Sequence, residues 1–130
     1  MPRARVKVFV VDDDEAVRDS LKMLLESYDI EVEECSSTAE FVRRFRPRGR
    51  QCLLLDQHLP GATGLDFLAS PDGIALTLPV ILLTGRGDRS IRDRAYELGV
   101  RAYLEKPVAD DLLIATIARA IGDGAASADT

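Results

Sequence analysis

The sequence predicts an α/β fold, a doubly wound five-stranded parallel sheet with helices on both faces. Three observations lead there. Five short apolar runs alternate with five stretches of helical periodicity along the chain, a pattern that requires parallel strands joined by right-handed crossovers. The run Pro79–Leu83 is wholly apolar, as a strand covered on both faces must be. The length of 130 residues, with 46% hydrophobic and 30% charged residues, suits a single globular domain with a real core. That domain is expected over residues 1–121, followed by a small, polar, frayed tail over residues 122–130.

The elements follow in order. Val6–Val11 is β-branched and aromatic, hence a strand, and the acidic cluster Asp12, Asp13, Asp14 and Glu15 after it suits a helix N-terminus. In the first helix Val17, Leu21, Leu24, Leu25 and Tyr28 share one face. A second strand lies near residues 30–34. Thr38 is placed to cap a helix that turns Phe41, Val42 and Phe45 inward, and Pro47 with Gly49 stops it.

The third strand, Cys52–Leu55, ends at Asp56. Leu59-Pro60-Gly61 is a turn, Leu65, Phe67 and Leu68 begin a short third helix, and Pro71 cuts it off. After the fourth strand, Ser90 with Asp93 three residues on resembles a capping box that opens a fourth helix, which Gly99 closes. Val100–Leu104 is the fifth strand. A fifth helix spans about residues 110–121, with Leu112, Leu113, Ile114, Ile117 and Ile121 forming an apolar set wider than one core-facing stripe needs.

Charge and cysteine content narrow the function. A net charge of −5 and a pI near 4.9 repel a phosphate backbone, so direct nucleic-acid binding is disfavoured. The run Arg43, Arg44, Arg46, Arg48 and Arg50 reads as a solvated helix end and loop. Cys35 and Cys52 lack the spacing of a metal knuckle or redox pair and read as free thiols. No apolar run is long enough to cross a bilayer and no secretory leader stands at the start, so a cytoplasmic, membrane-free location is expected.

In an open parallel sheet, ligands bind beyond the carboxyl ends of the strands, at the point where the strand order reverses. Asp12 and Asp13 end strand one, Asp56 ends strand three, Thr84 ends strand four and Lys106 follows strand five. All five converge on one rim. Carboxylates gathered there repel one another and push at least one pKa upward unless a cation intervenes. Few hard oxygen ligands, with room for waters and phosphate oxygens, suit Mg²⁺ better than a dedicated Ca²⁺ cage.

Val10-Val11-Asp12-Asp13, Leu55-Asp56 with Leu59-Pro60-Gly61 and Gly64, Thr84-Gly85, and Lys106-Pro107 resemble the response-regulator receiver family over residues about 6–121. The stretch Leu83–Asp88 is similar to the branch often joined to helix-turn-helix output domains. The resemblance implies the flavodoxin-like strand order 2-1-3-4-5 and a two-component role. By that resemblance a sensor histidine kinase is expected to phosphorylate Asp56, and a downstream output domain or partner to read the result.

It also implies direct Mg²⁺ ligation by Asp13 and Asp56, an action of Asp12 through water, and a backbone carbonyl ligand from His58. Thr84, Gly85 and Lys106 face the phosphoryl group, with the Lys106–Pro107 bond cis. His58 and Arg86 tune phosphate lifetime. Thr84 and Tyr103 form the switch, in which Thr84 moves toward the phosphoryl group and Tyr103 turns into the vacated space. The changed surface comprises the fourth predicted helix, the fifth strand and the last helix, and it supports a phosphorylation-dependent homodimer. The chain is then a phosphoacceptor that assists its own phosphorylation and dephosphorylation rather than an enzyme acting on a separate substrate.

Other readings weaken on the same residues. A phosphatase of the haloacid dehalogenase type wants a second Asp two residues after the nucleophile to protonate the leaving group, and that position is His58. A flavin-binding protein needs a hydroxyl-rich phosphate loop after strand one, where Asp12, Asp13 and Asp14 stand instead. Arg86-Gly87-Asp88 is a helix-entry loop rather than an adhesion tripeptide, and Gly85-x-Gly87 lacks the third glycine of a dinucleotide site. An unphosphorylated docking module is separated from a working receiver by mass measurement after treatment with a small phosphodonor.

Overall fold

A computed structural model of the chain describes residues 5–122; the tail expected over 122–130 lies, apart from Gly122, outside the described residues. Five strands, β1 (Lys7–Val11), β2 (Glu31–Cys35), β3 (Gln51–Asp56), β4 (Val80–Thr84) and β5 (Ala102–Glu105), form one parallel sheet in the order β2-β1-β3-β4-β5. Among the described residues there are six helices, α1 (Glu15–Ser27), α2 (Thr38–Arg44), α3 (Gly64–Ala69), α4 (Pro71–Ile74) and α5 (Arg89–Glu97) between the strands and α6 (Asp110–Ala120) after β5. The extra helix is the single turn α4. Pro71 does end α3, but proline suits a helix's first turn, and Ser70 caps the new turn by accepting from Gly73 N–H.

The two-residue alternation of each strand divides the core into two layers. Phe9, Val11, Leu53, Leu55 and Leu82 point to the side covered by α2, α3 and α5, through Phe41, Phe67 and Ala95. Val8, Val10, Leu54, Ile81 and Leu83 point to the other side, under Leu25 of α1 and Leu113 and Ile117 of α6. Every residue of β3 and β4 is buried, as strands covered on both faces require. The edge strands are more polar: on β2, Glu33 pairs with Lys7 at 2.7 Å.

Helix starts depart from expectation in a consistent way. Ser37, not Thr38, caps α2 by accepting from Glu40 N–H, and Asp88, not Ser90, caps α5 by accepting from Ile91 N–H. Ser90 instead donates to the Asp88 carboxylate. Both misplacements come from choosing among adjacent capping residues whose side chains compete for the same N–H groups. Tyr28 is the C-cap of α1 and is exposed rather than on the core face.

Candidate functional site

The strand register explains the rim. Val11 lies opposite Leu55, Asp56 opposite Leu83 and Thr84 opposite Glu105, so Asp12, Asp56, Thr84 and Lys106 leave four adjacent strands at one level. Asp12 and Asp56 are nearly fully buried and Asp13 is exposed. One carboxylate oxygen from each of Asp12, Asp13 and Asp56 falls within a sphere of mutual distances no greater than 4.8 Å. That donor set, all hard oxygens and open on the Asp13 side, fits a small divalent cation that keeps waters in its shell.

Lys106 sits between the two buried acids, 3.1 Å from Asp56 Oδ1 and 3.3 Å from Asp12 Oδ2. The Lys106–Pro107 peptide is cis. Burial pushes the Asp56 carboxyl above the usual range and the Asp12 charge adds to the push, while Lys106 opposes both. Burial alone pulls the Lys106 ammonium down, but Asp56 and Asp12 outweigh it and its pKa is raised. Asp56 is thus a carboxylate with too little positive charge beside it, a state that a bound cation corrects.

The hydroxyl of Thr84 is fully buried at the same rim. It accepts from Arg86 N–H at 3.1 Å and lies 2.9 Å from His58 Nε2. A Cβ built on Gly85 meets nothing within 4 Å, so open space lies beside the residue that follows Thr84. The Tyr103 ring, one strand further, lies over Gly87: a Cβ there would overlap the phenol oxygen. That oxygen is buried without a hydrogen-bond partner, and burial raises its pKa, with Glu105 and Asp88 adding to the effect.

Sequence reasoning placed these residues but missed those that brace them. Asp14 caps α1, accepting from Ala16 and Val17 N–H, and its own N–H donates to Asp12 Oδ1 at 2.9 Å. Arg18 donates to the Asp12 carbonyl. Gln57 is buried; its Oε1 accepts from Leu65 N–H at 2.9 Å and its carbonyl from Gly64 N–H at 3.0 Å, which folds the loop after Asp56 back onto β3. An amide side chain directly after an apolar strand was the available signal.

An aspartate, a hydroxyl and a lysine are gathered at a parallel sheet's carboxyl rim beside three carboxylates placed to hold a divalent cation, in a protein of the open α/β class. The chain belongs to the response regulator receiver domain family, which matches residues 8–118. It is similar to the transcriptional regulatory protein FixJ of Azorhizobium caulinodans, 38% identical over 96% of this chain and 59% of FixJ; the chain therefore spans under two thirds of that relative. Among solved structures, a response regulator receiver domain protein from Clostridium thermocellum superposes with a TM-score of 0.81 at 32% identity, over 92% of this chain and 96% of the other. The beryllofluoride-activated NtrC4 receiver domain dimer does so with a TM-score of 0.74 at 28% identity, over 90% of this chain and 97% of the other.

Among the described residues, no helix is long and apolar enough to cross a membrane.

Proposed function

We propose that Asp56 is the phosphoacceptor of a two-component phosphorelay and that the phosphoryl group comes from a phosphohistidine of a sensor kinase. An Asp56 carboxylate oxygen forms a bond to phosphorus while the donor's N–P bond breaks, its electron pair leaving with the imidazole, which takes up a proton. Dephosphorylation is attack of water on the same phosphorus: the new O–P bond forms as the P–O bond to Asp56 breaks, its electron pair returns to the Asp56 carboxylate, and the water's proton passes to solvent or to the inorganic phosphate released. The observation that carries this reading is the burial of Asp56 beside Asp12 with only Lys106 between them.

Asp12, Asp13, Asp56 and the His58 backbone carbonyl would hold Mg²⁺, which would supply charge neutralisation of phosphoryl oxygens. Lys106 holds Asp56 in line and contacts phosphoryl oxygens as their charge develops. Gly85 leaves room for the group, and Thr84 contacts it by giving up its present contact with His58. His58 and Arg86 flank the opening and set how readily water enters, hence the lifetime of the phosphorylated form.

Thr84 and Tyr103 carry the change outward. The groove between α5, β5 and α6, of about 400 Å³ and bordered by Tyr103, by Tyr96 and by the half-exposed Leu112, is the surface that responds and that an output domain, a partner protein or a second copy meets. The dimeric state named for the beryllofluoride-activated receiver supports the last. The expected location is cytoplasmic, with neither membrane nor nucleic acid bound directly by this domain.

Intact-mass measurement after incubation with acetyl phosphate and Mg²⁺ tests the reading. One phosphoryl increment, lost in Asp56→Asn, is expected; an unaltered mass, or a label on another residue, defeats it.

A further inference from the structure

At the opposite end of the sheet from Asp56, the amino ends of β1 and β3 border a concavity of about 450 Å³, a size that suits a small ligand. Arg5, Lys7, Arg44, Arg46, Arg48 and Arg50 line it against a single acid, Glu31. The cations arrive from the entrance to β1, the end of α2 and the loop over residues 45–50. A chain of net charge −5 has gathered six cations around one hollow. Solvation of a helix end does not by itself account for that convergence.

Their neutralisation is uneven. Lys7 meets Glu33 at 2.7 Å, Arg44 meets Glu40 at 3.1 Å and Arg5 meets Asp29 at 3.5 Å. Arg46 donates only to the main-chain carbonyls of Arg43 and Phe45, at 3.1 and 2.7 Å. Among the described residues neither Arg46 nor Arg48 is paired with a carboxylate.

The loop that carries them is fixed in shape. Gln51 is buried; its Nε2 donates to the Arg46 carbonyl and its Oε1 accepts from Arg48 N–H, both at 3.0 Å. Lys7 N–H donates to the Arg50 carbonyl at 2.9 Å, and Gly49 takes the left-handed conformation (φ +59°) that closes the turn. Backbone order is therefore in place before any ligand arrives, which lowers the entropy lost on binding.

We propose that this cavity is an anion site for a small ligand carrying two adjacent phosphate groups. A guanidinium presents a planar donor fork that matches phosphate oxygens, and Arg46 and Arg48 offer two such forks without a competing carboxylate. The concave shape selects a compact ligand. An extended nucleic-acid backbone crossing this face would meet Asp29, Glu31, Glu33 and Glu40 around the cavity. The site shares no residue with the acidic rim and stands independently of the phosphoacceptor reading.

The test is a titration of the full chain with inorganic diphosphate, free of divalent metal, followed by ¹⁵N–¹H NMR, with monophosphate and a short DNA duplex as separate arms. Saturable shifts are expected at the amides of Lys7, Arg46, Arg48 and Gln51, with Asp56 and Asp13 unmoved and monophosphate binding more weakly. Arg46→Gln with Arg48→Gln is expected to weaken diphosphate by about tenfold while acetyl phosphate still labels Asp56. The charge-preserving Arg46→Lys with Arg48→Lys, which keeps the loop's charge and loses only the forks, is expected to weaken it by about threefold.

Absent or non-saturable shifts, unchanged affinity in both double variants, or shifts confined to the acidic rim each overturn the site. A duplex that binds more tightly than diphosphate through Arg46 and Arg48 replaces the small-ligand assignment with a nucleic-acid one.

Discussion

The two ends of one sheet carry opposite charge, and they are built on opposite terms. At the carboxyl rim, Asp12 and Asp56 are buried and like-charged, with Lys106 reaching both. At the amino pole, Arg46 and Arg48 are exposed, and no carboxylate pairs with them among the described residues. Burial makes like charges expensive, because neither water nor salt screens them. Exposure makes them cheap, because both do. The acidic rim is therefore poised to change state when charge arrives, whereas the basic pole is a standing attraction that ionic strength weakens.

The largest expected effect lies at the rim. Asp56→Asn removes the proposed nucleophile, so labelling by acetyl phosphate should vanish. Lys106→Ala keeps the nucleophile and removes a cation aimed at developing charge, so the labelling rate should fall by about a hundredfold or more. Arg46→Gln, at the other pole, should leave the rate unchanged. Rates followed by intact mass decide this, and an equal fall at both poles would mean that long-range field rather than local contact governs phosphorylation.

Next in size is a packing effect beside Asp56. A Cβ on Gly64 would lie 2.8 Å from the Asp56 carbonyl oxygen and 2.9 Å from Leu82 Cδ1. The first of these is backbone, which yields only by moving the end of β3. Gly64→Ala should cost about 2–3 kcal/mol in urea unfolding. Gly49→Ala, at the basic pole, meets nothing within 4 Å and carries only the strain of its positive φ, so a cost of about 1 kcal/mol is expected. Equal costs would remove the distinction between a tightly packed rim and an open pole.

The carboxylate proposed to accept the phosphoryl group should weaken the metal-free fold. Asp56 is raised by burial and by the Asp12 charge, so the folded chain holds its proton to higher pH than the unfolded chain does. Between the ordinary carboxylate pKa and the raised one, the folded state binds more protons, and stability falls as pH rises. Asp56→Asn abolishes that fall. The variant should match the parent in strong acid and exceed it in stability at neutral pH without metal. Saturating Mg²⁺ should narrow the gap, since a ligand of the folded state stabilises the parent more. A variant less stable than the parent at neutral pH would mean that the Lys106 contacts outweigh the burial and repulsion.

How much of this was legible in the sequence differs between the two ends for a physical reason. The rim residues sit at strand termini, and a parallel sheet aligns the termini of its strands, so Asp12, Asp56, Thr84 and Lys106 could be brought together from order and strand assignment alone. The bracing contact of Arg18 could not, because it depends on side-chain reach across a turn, and of Gln57 only the amide directly after an apolar strand was visible, not its partners in the loop. The basic pole was half visible: the arginine run is plain in the sequence, but its meeting with Arg5 and Lys7 depends on how the loop over residues 45–50 folds against Gln51. Helix caps erred by one or two residues at Ser37 and Asp88, where neighbouring oxygens compete for the same N–H groups.

The smallest effect is the sharpest check on the comparison itself. Arg46 and Arg48 bond to main-chain carbonyls or to nothing charged among the described residues, and their side chains are exposed. The loop is held instead by Gln51 and by Lys7 N–H. Arg46→Gln with Arg48→Gln should therefore change unfolding free energy by no more than about 0.5 kcal/mol, and in the stabilising direction at low salt if the guanidiniums repel their neighbours. Added salt should erase even that, because exposed charges are screened beyond about 8–10 Å. A loss of more than about 1 kcal/mol that persists in high salt would make these arginines structural, and the amino pole would then be a braced loop rather than a surface held ready for an anion.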